Sequence, residues 1–277
     1  MRWLHFILSH SIFISLCAVA LCFQTYVLLG LKPDYLIYLL VFSCTLCSYN
    51  AYWLLSKFHF NKTLPFSKFI IRNFSNLVLV LLSSIAVLFC MIYVPGVVGF
   101  LAVAGMLTVF YTLPLWPGSS LKPATSLGFI KTLLLALTWT YVTIVIPARE
   151  KMGEIDQAFT LLFATRFFFM LMLCSIFDNR DSHFDKLRGL KSLATDVSSH
   201  TLHKIMIGSF CLYIIFGIAL RSYLDSGAQT IAFLLTGVTV LLVYLLSLKK
   251  QDYIFYYFVV DGMMLFSATA TFVAANV

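Results

Sequence analysis

The stretch Phe167-Phe-Phe-Met-Leu-Met-Leu-Cys-Ser-Ile-Phe177-Asp178-Asn-Arg180-Asp181-Ser-His-Phe-Asp185-Lys-Leu-Arg188-Gly189-Leu-Lys-Ser192-Leu193 joins an apolar run to an acidic one. Three of its residues, Asp178, Asp181 and Asp185, are carboxylates, in a chain with only 11 Asp and Glu in total. Their spacing, i, i+3, i+7, puts all three on one face of a helix. That face begins where the apolar run ends, at a membrane surface. Converging carboxylates repel one another unless a cation sits among them. Hard oxygen donors of this kind suit Mg²⁺, which commonly bridges to a phosphate or diphosphate. An acidic cap after a membrane span, offset by Arg180, Lys186 and Arg188, is the plainer alternative.

Composition sets the class. The chain is 61% hydrophobic and 11% charged, with a mean hydropathy of +0.95. These values exclude an ordinary soluble domain and indicate a polytopic membrane protein surrounded by lipid. Apolar runs predict an all-α fold with about nine spans, near 7–29, 34–55, 75–94, 97–115, 126–147, 157–177, 204–222, 229–247 and 254–275. A Pro95-Gly96 turn divides the third from the fourth. No soluble appendage or low-complexity linker interrupts the sequence, so residues 1–277 are expected to form a single integral-membrane domain. The first run lacks a small-residue cleavage site and is expected to be retained.

The net charge of +8 follows from orientation and is no sign of nucleic acid. With the N-terminus inside, fourteen of the 19 lysines and arginines fall on the cytoplasmic side, against Lys32, Arg149, Lys151 and Arg221 on the other. This bias places the N-terminus and the acidic motif on the cytoplasmic face of the inner membrane. The seven cysteines lie in apolar runs. Cys44 and Cys47 sit i, i+3 within one span and are expected to be small core residues. Arg166 and Asp261 fall well inside spans, where charges usually face the protein interior and pair. Their axial depths predict an Arg166–Asp261 pair; bonds to neighbours such as Ser175, Thr165 or Ser267 are the alternative.

The pattern D-x2-D-x3-D-x3-G-x2-S-L, carried by Asp178, Asp181, Asp185, Gly189, Ser192 and Leu193, resembles the second aspartate-rich motif of the UbiA family of intramembrane prenyltransferases. The order and placement of helices extend the resemblance over most of the chain. It implies nine helices around a central cavity and a cap built from two loops, near 56–74 and 178–203. It also implies Mg²⁺ as cofactor, a prenyl diphosphate and a lipophilic acceptor as partners, and Asp178, Asp181 and Asp185 as metal-binding catalytic residues. Basic residues such as Arg180 and Arg188 would meet the remaining phosphate charge.

The family's first motif ends its second helix, and Asn50 matches its asparagine. The two following aspartate positions read Leu54 and Phe58, and no acidic residue occurs from Tyr35 through Arg149. Lys57, i+7 from Asn50, either stands in for the missing cation or snorkels at a helix end. Asn61-Lys62-Thr63-Leu64-Pro65-Phe66-Ser67-Lys68 resembles a family loop in which Lys62 would face diphosphate. Tyr111-Thr112-Leu113-Pro114-Leu115 followed by Lys122 resembles another, with Tyr111 lining the cavity and Lys122 contacting the donor. Trp116 and Pro117 stand where that segment has arginine.

These features imply transfer of an isoprenyl group to an apolar or aromatic acceptor. The missing first-motif carboxylates keep a second function open, a non-catalytic protein that binds an isoprenoid or supports a partner enzyme. The motif of CDP-alcohol phosphatidyltransferases is not matched, because Asp178-Asn179 lacks its glycine and arginine spacing. A transporter would carry polar residues along a through-pathway, whereas here they cluster on one face.

Overall fold

A computed structural model describes residues 2–60, 66–94, 96–112, 128–149, 156–188, 192–224 and 227–277; for 2, 59–60, 66–67 and 183–188 it describes the backbone only. Every regular element among them is helical. In hydrocarbon each backbone N–H and C=O must be satisfied within its own segment, which an apolar helix achieves. The helices are α1 (Arg2–Ser9), α2 (Ile12–Leu28), α3 (Tyr35–Phe60), α4 (Phe66–Arg72), α5 (Phe74–Tyr93) and α6 (Val97–Thr112). They continue as α7 (Gly128–Thr140), α8 (Gln157–Arg188), α9 (Leu193–Asp196), α10 (Ser199–Ala219), α11 (Gly227–Ser247) and α12 (Asp261–Ala275). Wider π-helical turns extend α7 over Tyr141–Val145 and precede α12 over Phe255–Val260.

Seven of the helical segments are long and apolar enough to cross a membrane. The expected first span is broken: α1 and α2 meet at 68° and qualify only together, as an eighth. Ser11 makes the corner with φ 60°, a left-handed conformation unusual for serine. The fourth expected span is α6, a shorter apolar helix of 16 residues. Gly96, with φ 79°, provides the turn that separates it from α5.

The long helices pack in one continuous succession. Neighbours pack in the order α2, α3 and α5 on one side and α6, α7, α8, α10, α11 and α12 on the other, with α12 returning against α2. α8 is the inner element: Met170, Met172, Leu173 and Ile176 are all buried. Its 32 residues carry the helix past the apolar run, so the acidic motif stands on a helical extension.

A polar seam crosses the apolar interior. The Gln24 amide donates to Ser267 Oγ at 3.0 Å and Thr271 Oγ1 at 2.8 Å. Arg166 joins it, and this corrects the expected Arg166–Asp261 pair. Its Nη2 donates to Gln24 Oε1 at 2.7 Å, and its Nη1 donates to Thr143 Oγ1 at 3.1 Å and the Leu21 carbonyl at 3.2 Å. The guanidinium points toward α2 and the π turn after α7. A lone arginine at mid-span costs about 3 kcal/mol on insertion scales, and these bonds offset part of that. All seven cysteines are free thiols.

Candidate functional site

A cavity of about 1100 Å³ opens between α1, α3, α7, α8 and the α11–α12 connection. Its inner wall is largely aromatic and apolar. Tyr49 meets Trp139 edge to face at 6.1 Å, and Tyr52 lies 6.4 Å from Tyr111. Leu135, Met170 and Met264 fill the spaces between. Charge gathers on the same lining: Lys57, Lys131, Arg180, Lys249 and Lys250 against Asp178, Asp181, Asp252 and Asp261.

Asp178 is fixed by three elements. It lies in the last turns of α8 and accepts a hydrogen bond from the Thr132 hydroxyl of α7. The backbone N–H of Leu193 donates to the same oxygen at 3.1 Å. Leu193 opens α9, whose first turn is held by Thr195: its Oγ1 accepts from the Ser192 N–H at 2.8 Å and donates to the Ser192 carbonyl at 2.9 Å. A carboxylate at a helix N-terminus suits the unsatisfied N–H groups there. The cap presses on the start of α7: a Cβ on Gly128 would lie 2.4 Å from Ser192 N and O, so this approach requires glycine. The Gly128 N–H in turn donates to Asp196.

Asp181 is one turn beyond Asp178. Arg180 Nε and Nη2 each donate to it at 2.7 Å. The Arg180 guanidinium also lies over the rings of Phe177, Tyr256 and Tyr257, at 4.9, 5.0 and 4.9 Å. Such stacking suits arginine's weakly hydrated plane. At the rim Tyr253 stacks on His5 at 5.4 Å. Burial, reinforced by Tyr257 and Asp261, pushes the Tyr253 phenol up to about 12, so it keeps its proton and remains a donor.

The structure therefore brings Asp178, Asp181, Arg180, Lys57 and Tyr111 to one cavity. Lys57 donates to Asn73 Oδ1 at 3.0 Å, a partner between α4 and α5. Asn50 is not on the lining. It is fully buried, donating to the carbonyls of His10 and Leu46 and accepting from Asn76. Asp185 and Arg188 belong to the backbone of α8, and their side chains lie outside the description. Lys62 and Lys122 lie outside the described residues. Among the described residues no three His, Cys, Asp or Glu side chains form a metal-binding group. Asp178 and Asp181 still fit Mg²⁺ in kind, since that ion is commonly held by one or two carboxylates together with phosphate oxygens and water.

Sequence reasoning assigned no site role to Lys131, Lys249 and Lys250, which counted only as charges near helix ends. Nor did it single out Tyr49, Tyr52 or Trp139 among the aromatics of an aromatic-rich chain. The positions of the absent first-motif aspartates part company: Leu54 is buried, whereas Phe58 is half exposed on the outer surface, edge to face with Phe69.

No family model matches the sequence, and no curated protein does at a significant level. Solved structures do match. A UbiA homologue from Aeropyrum pernix K1, in its apo form, superposes with a TM-score of 0.64 over 94% of this chain and 97% of its own, at 13% identity. A digeranylgeranylglyceryl phosphate synthase matches with a TM-score of 0.58 over 99% of both chains, at 14% identity. The chain thus has the UbiA-type fold of a multi-pass membrane protein.

Proposed function

We propose that this protein transfers an isoprenyl group from a prenyl diphosphate to an apolar or aromatic acceptor within the membrane. The observation that carries the proposal is the cavity itself. One chamber joins a cluster of cations and acids to an aromatic interior, matching a substrate with a diphosphate head and an isoprenoid tail. Lys57, Lys131, Lys249 and Lys250 supply charge for the diphosphate. The rings of Tyr49, Tyr52, Tyr111 and Trp139 offer apolar surface for the tail and π-faces for positive charge developing at the allylic carbon. Asp178 and Asp181 would hold Mg²⁺, which supplies neutralisation of the departing diphosphate. Asp178 is preorganised for this by Thr132 and Leu193. The active end is assigned to the cytoplasmic face of the inner membrane on the distribution of lysine and arginine.

A second function is favoured by one specific arrangement: Arg180 bonds both oxygens of Asp181, and Leu54 and Phe58 bring no carboxylate. A protein so built binds an isoprenoid without transferring it. The deciding assay uses purified protein with Mg²⁺ and geranyl, farnesyl or geranylgeranyl diphosphate, with and without lipid extract. Prenyl transfer expects diphosphate release that depends on the extract. Binding without release assigns the non-catalytic function. No Mg²⁺-dependent binding of any of the three overturns both. For orientation, Gly153→Cys and Leu190→Cys should label from opposite sides of the membrane, and labelling from one side refutes the assignment.

A further inference from the structure

Asp261 is a cavity-lining carboxylate that the proposed chemistry leaves unused. It opens α12 about two turns into the span, on the wall of the cavity, and only 4% of it is exposed. Seven carboxylates have described side chains, and six of them accept a hydrogen bond. Asp34 accepts from Arg149 and Leu36, Asp156 from Phe159, and Asp252 from Phe255. Asp178, Asp181 and Asp196 accept from Thr132, Arg180 and Gly128. No described group hydrogen-bonds Asp261.

A largely buried acid without a donor from its own protein takes its partner from the space it faces, which for Asp261 is the cavity. A ligand hydroxyl there can take the place of water. The local backbone supports this. The π turn of Phe255–Val260 ends at Asp261, and such turns displace the side chains that follow them and are frequent at functional sites.

The surroundings narrow the ligand. Tyr49, Trp139 and Met264 share the lining with Asp261, so the ligand beside it is lipophilic. Five cationic side chains line the same cavity, which disfavours a ligand that is itself a cation. The carboxylate disfavours an anion, and so repels the diphosphate as well as an acceptor acid. What remains is a neutral molecule with a hydroxyl. Either protonation form of the carboxyl can accept from an O–H.

We propose that Asp261 is the specificity-determining residue of the cavity, receiving the hydroxyl of an uncharged lipophilic acceptor and excluding acceptors that carry a carboxylate. This names the acceptor class for the prenyl transfer proposed above and rests on that function.

The test compares three probes of equal tail length on the purified full chain: 4-octylphenol, its methyl ether 4-octylanisole, and 4-octylbenzoate. Farnesyl diphosphate with Mg²⁺ is measured beside them. The wild type is expected to bind the phenol about ten-fold tighter than the ether, the scale of one hydrogen bond to a charged group, and the benzoate weakest. Asp261→Leu should bring phenol and ether to equal affinity and improve the benzoate. Asp261→Asn keeps the shape and removes the charge. It should improve the benzoate, which decides the matter if the leucine variant does not fold. Equal binding of phenol and ether by the wild type overturns the proposal, as does a benzoate that binds best. So do probe ratios that ignore the substitutions. If farnesyl diphosphate does not bind the wild type, prenyl transfer fails while the phenol-to-ether ratio still judges Asp261.

Discussion

Arg180 holds Asp181 side by side, Nε and Nη2 each 2.7 Å from an oxygen, while its guanidinium plane rests on Phe177, Tyr256 and Tyr257. The same carboxylate is therefore claimed by an arginine and, in the proposed function, by a metal. Arginine is fixed in place by the three rings, so the metal has to compete for Asp181. Arg180→Leu should tighten Mn²⁺ binding in the absence of diphosphate, read by electron paramagnetic resonance. Unchanged or weaker Mn²⁺ binding would show that the pair does not limit the site.

Asp178 should matter for stability as well as chemistry. Asp178→Ala removes the acceptor shared by the Thr132 hydroxyl and the Leu193 N–H, leaving only their longer bonds, Leu193 N–H to Thr132 Oγ1 at 3.2 Å and Thr132 Oγ1 to the Gly128 carbonyl at 3.3 Å. A hydrogen bond to a charged group contributes about 1.5–3 kcal/mol. Thr132→Val removes one donor and leaves the other bond in place, so its cost should be smaller. Thermal unfolding in detergent should rank them wild type, Thr132→Val, Asp178→Ala, and a reversed order would contradict the three-way junction.

Gly128→Ala should be destabilising out of proportion to its size. The added methyl meets backbone atoms of Ser192, which cannot rotate away as a side chain would. Overpacking of this kind costs about 1–3 kcal/mol. The damage should extend to the cavity, because the displaced cap carries the Leu193 N–H that holds Asp178. A variant as stable as wild type would mean that α7 and α9 do not approach this closely.

Arg166 and Gln24 should be energetically coupled, and Arg166 and Asp261 should not. In a double-mutant cycle, Arg166→Leu with Gln24→Leu is expected to show an interaction of about 0.5–3 kcal/mol, typical of groups in one network. Arg166→Leu with Asp261→Leu should be additive. Coupling in the second pair and none in the first would reverse the assignment.

Restoring carboxylates to α3 should not rebuild a second metal position. Leu54→Asp puts an acid in the interior, but Phe58→Asp puts one on the outer surface. The double variant should bind Mn²⁺ no more tightly than Leu54→Asp, by the same resonance measurement. A gain specific to the double variant would show Phe58 to face the cavity.

The helices were legible because each is encoded locally: an apolar run long enough to span must be helical, wherever it sits in the bundle. The acidic face of α8 was legible for the same reason, since Asp178, Asp181 and Asp185 share one helix. Pairings between helices were not. Arg166 and Asp261 were matched on axial depth, but contact also depends on rotation about each helix, and nothing in a uniformly apolar sequence fixes that angle. Lys249 and Lys250 show a related limit: their charge was counted, but their place on the cavity wall depends on how α11 turns into α12. Asn50 occupied the expected position along α3, yet its amide serves the contact with His10 and Asn76.

The packing of α2 against α12 bears on how the protein is made. Two of Gln24's hydrogen-bond partners, Ser267 and Thr271, are synthesised 243 and 247 residues after it. Until α12 inserts, that amide waits in the bilayer, where polar groups are held only at a cost. The nascent chain thus carries an exposed mark of incompleteness while the intervening helices are made. A quality-control factor that reads unsatisfied polar groups in the membrane would separate finished molecules from truncated ones at this seam.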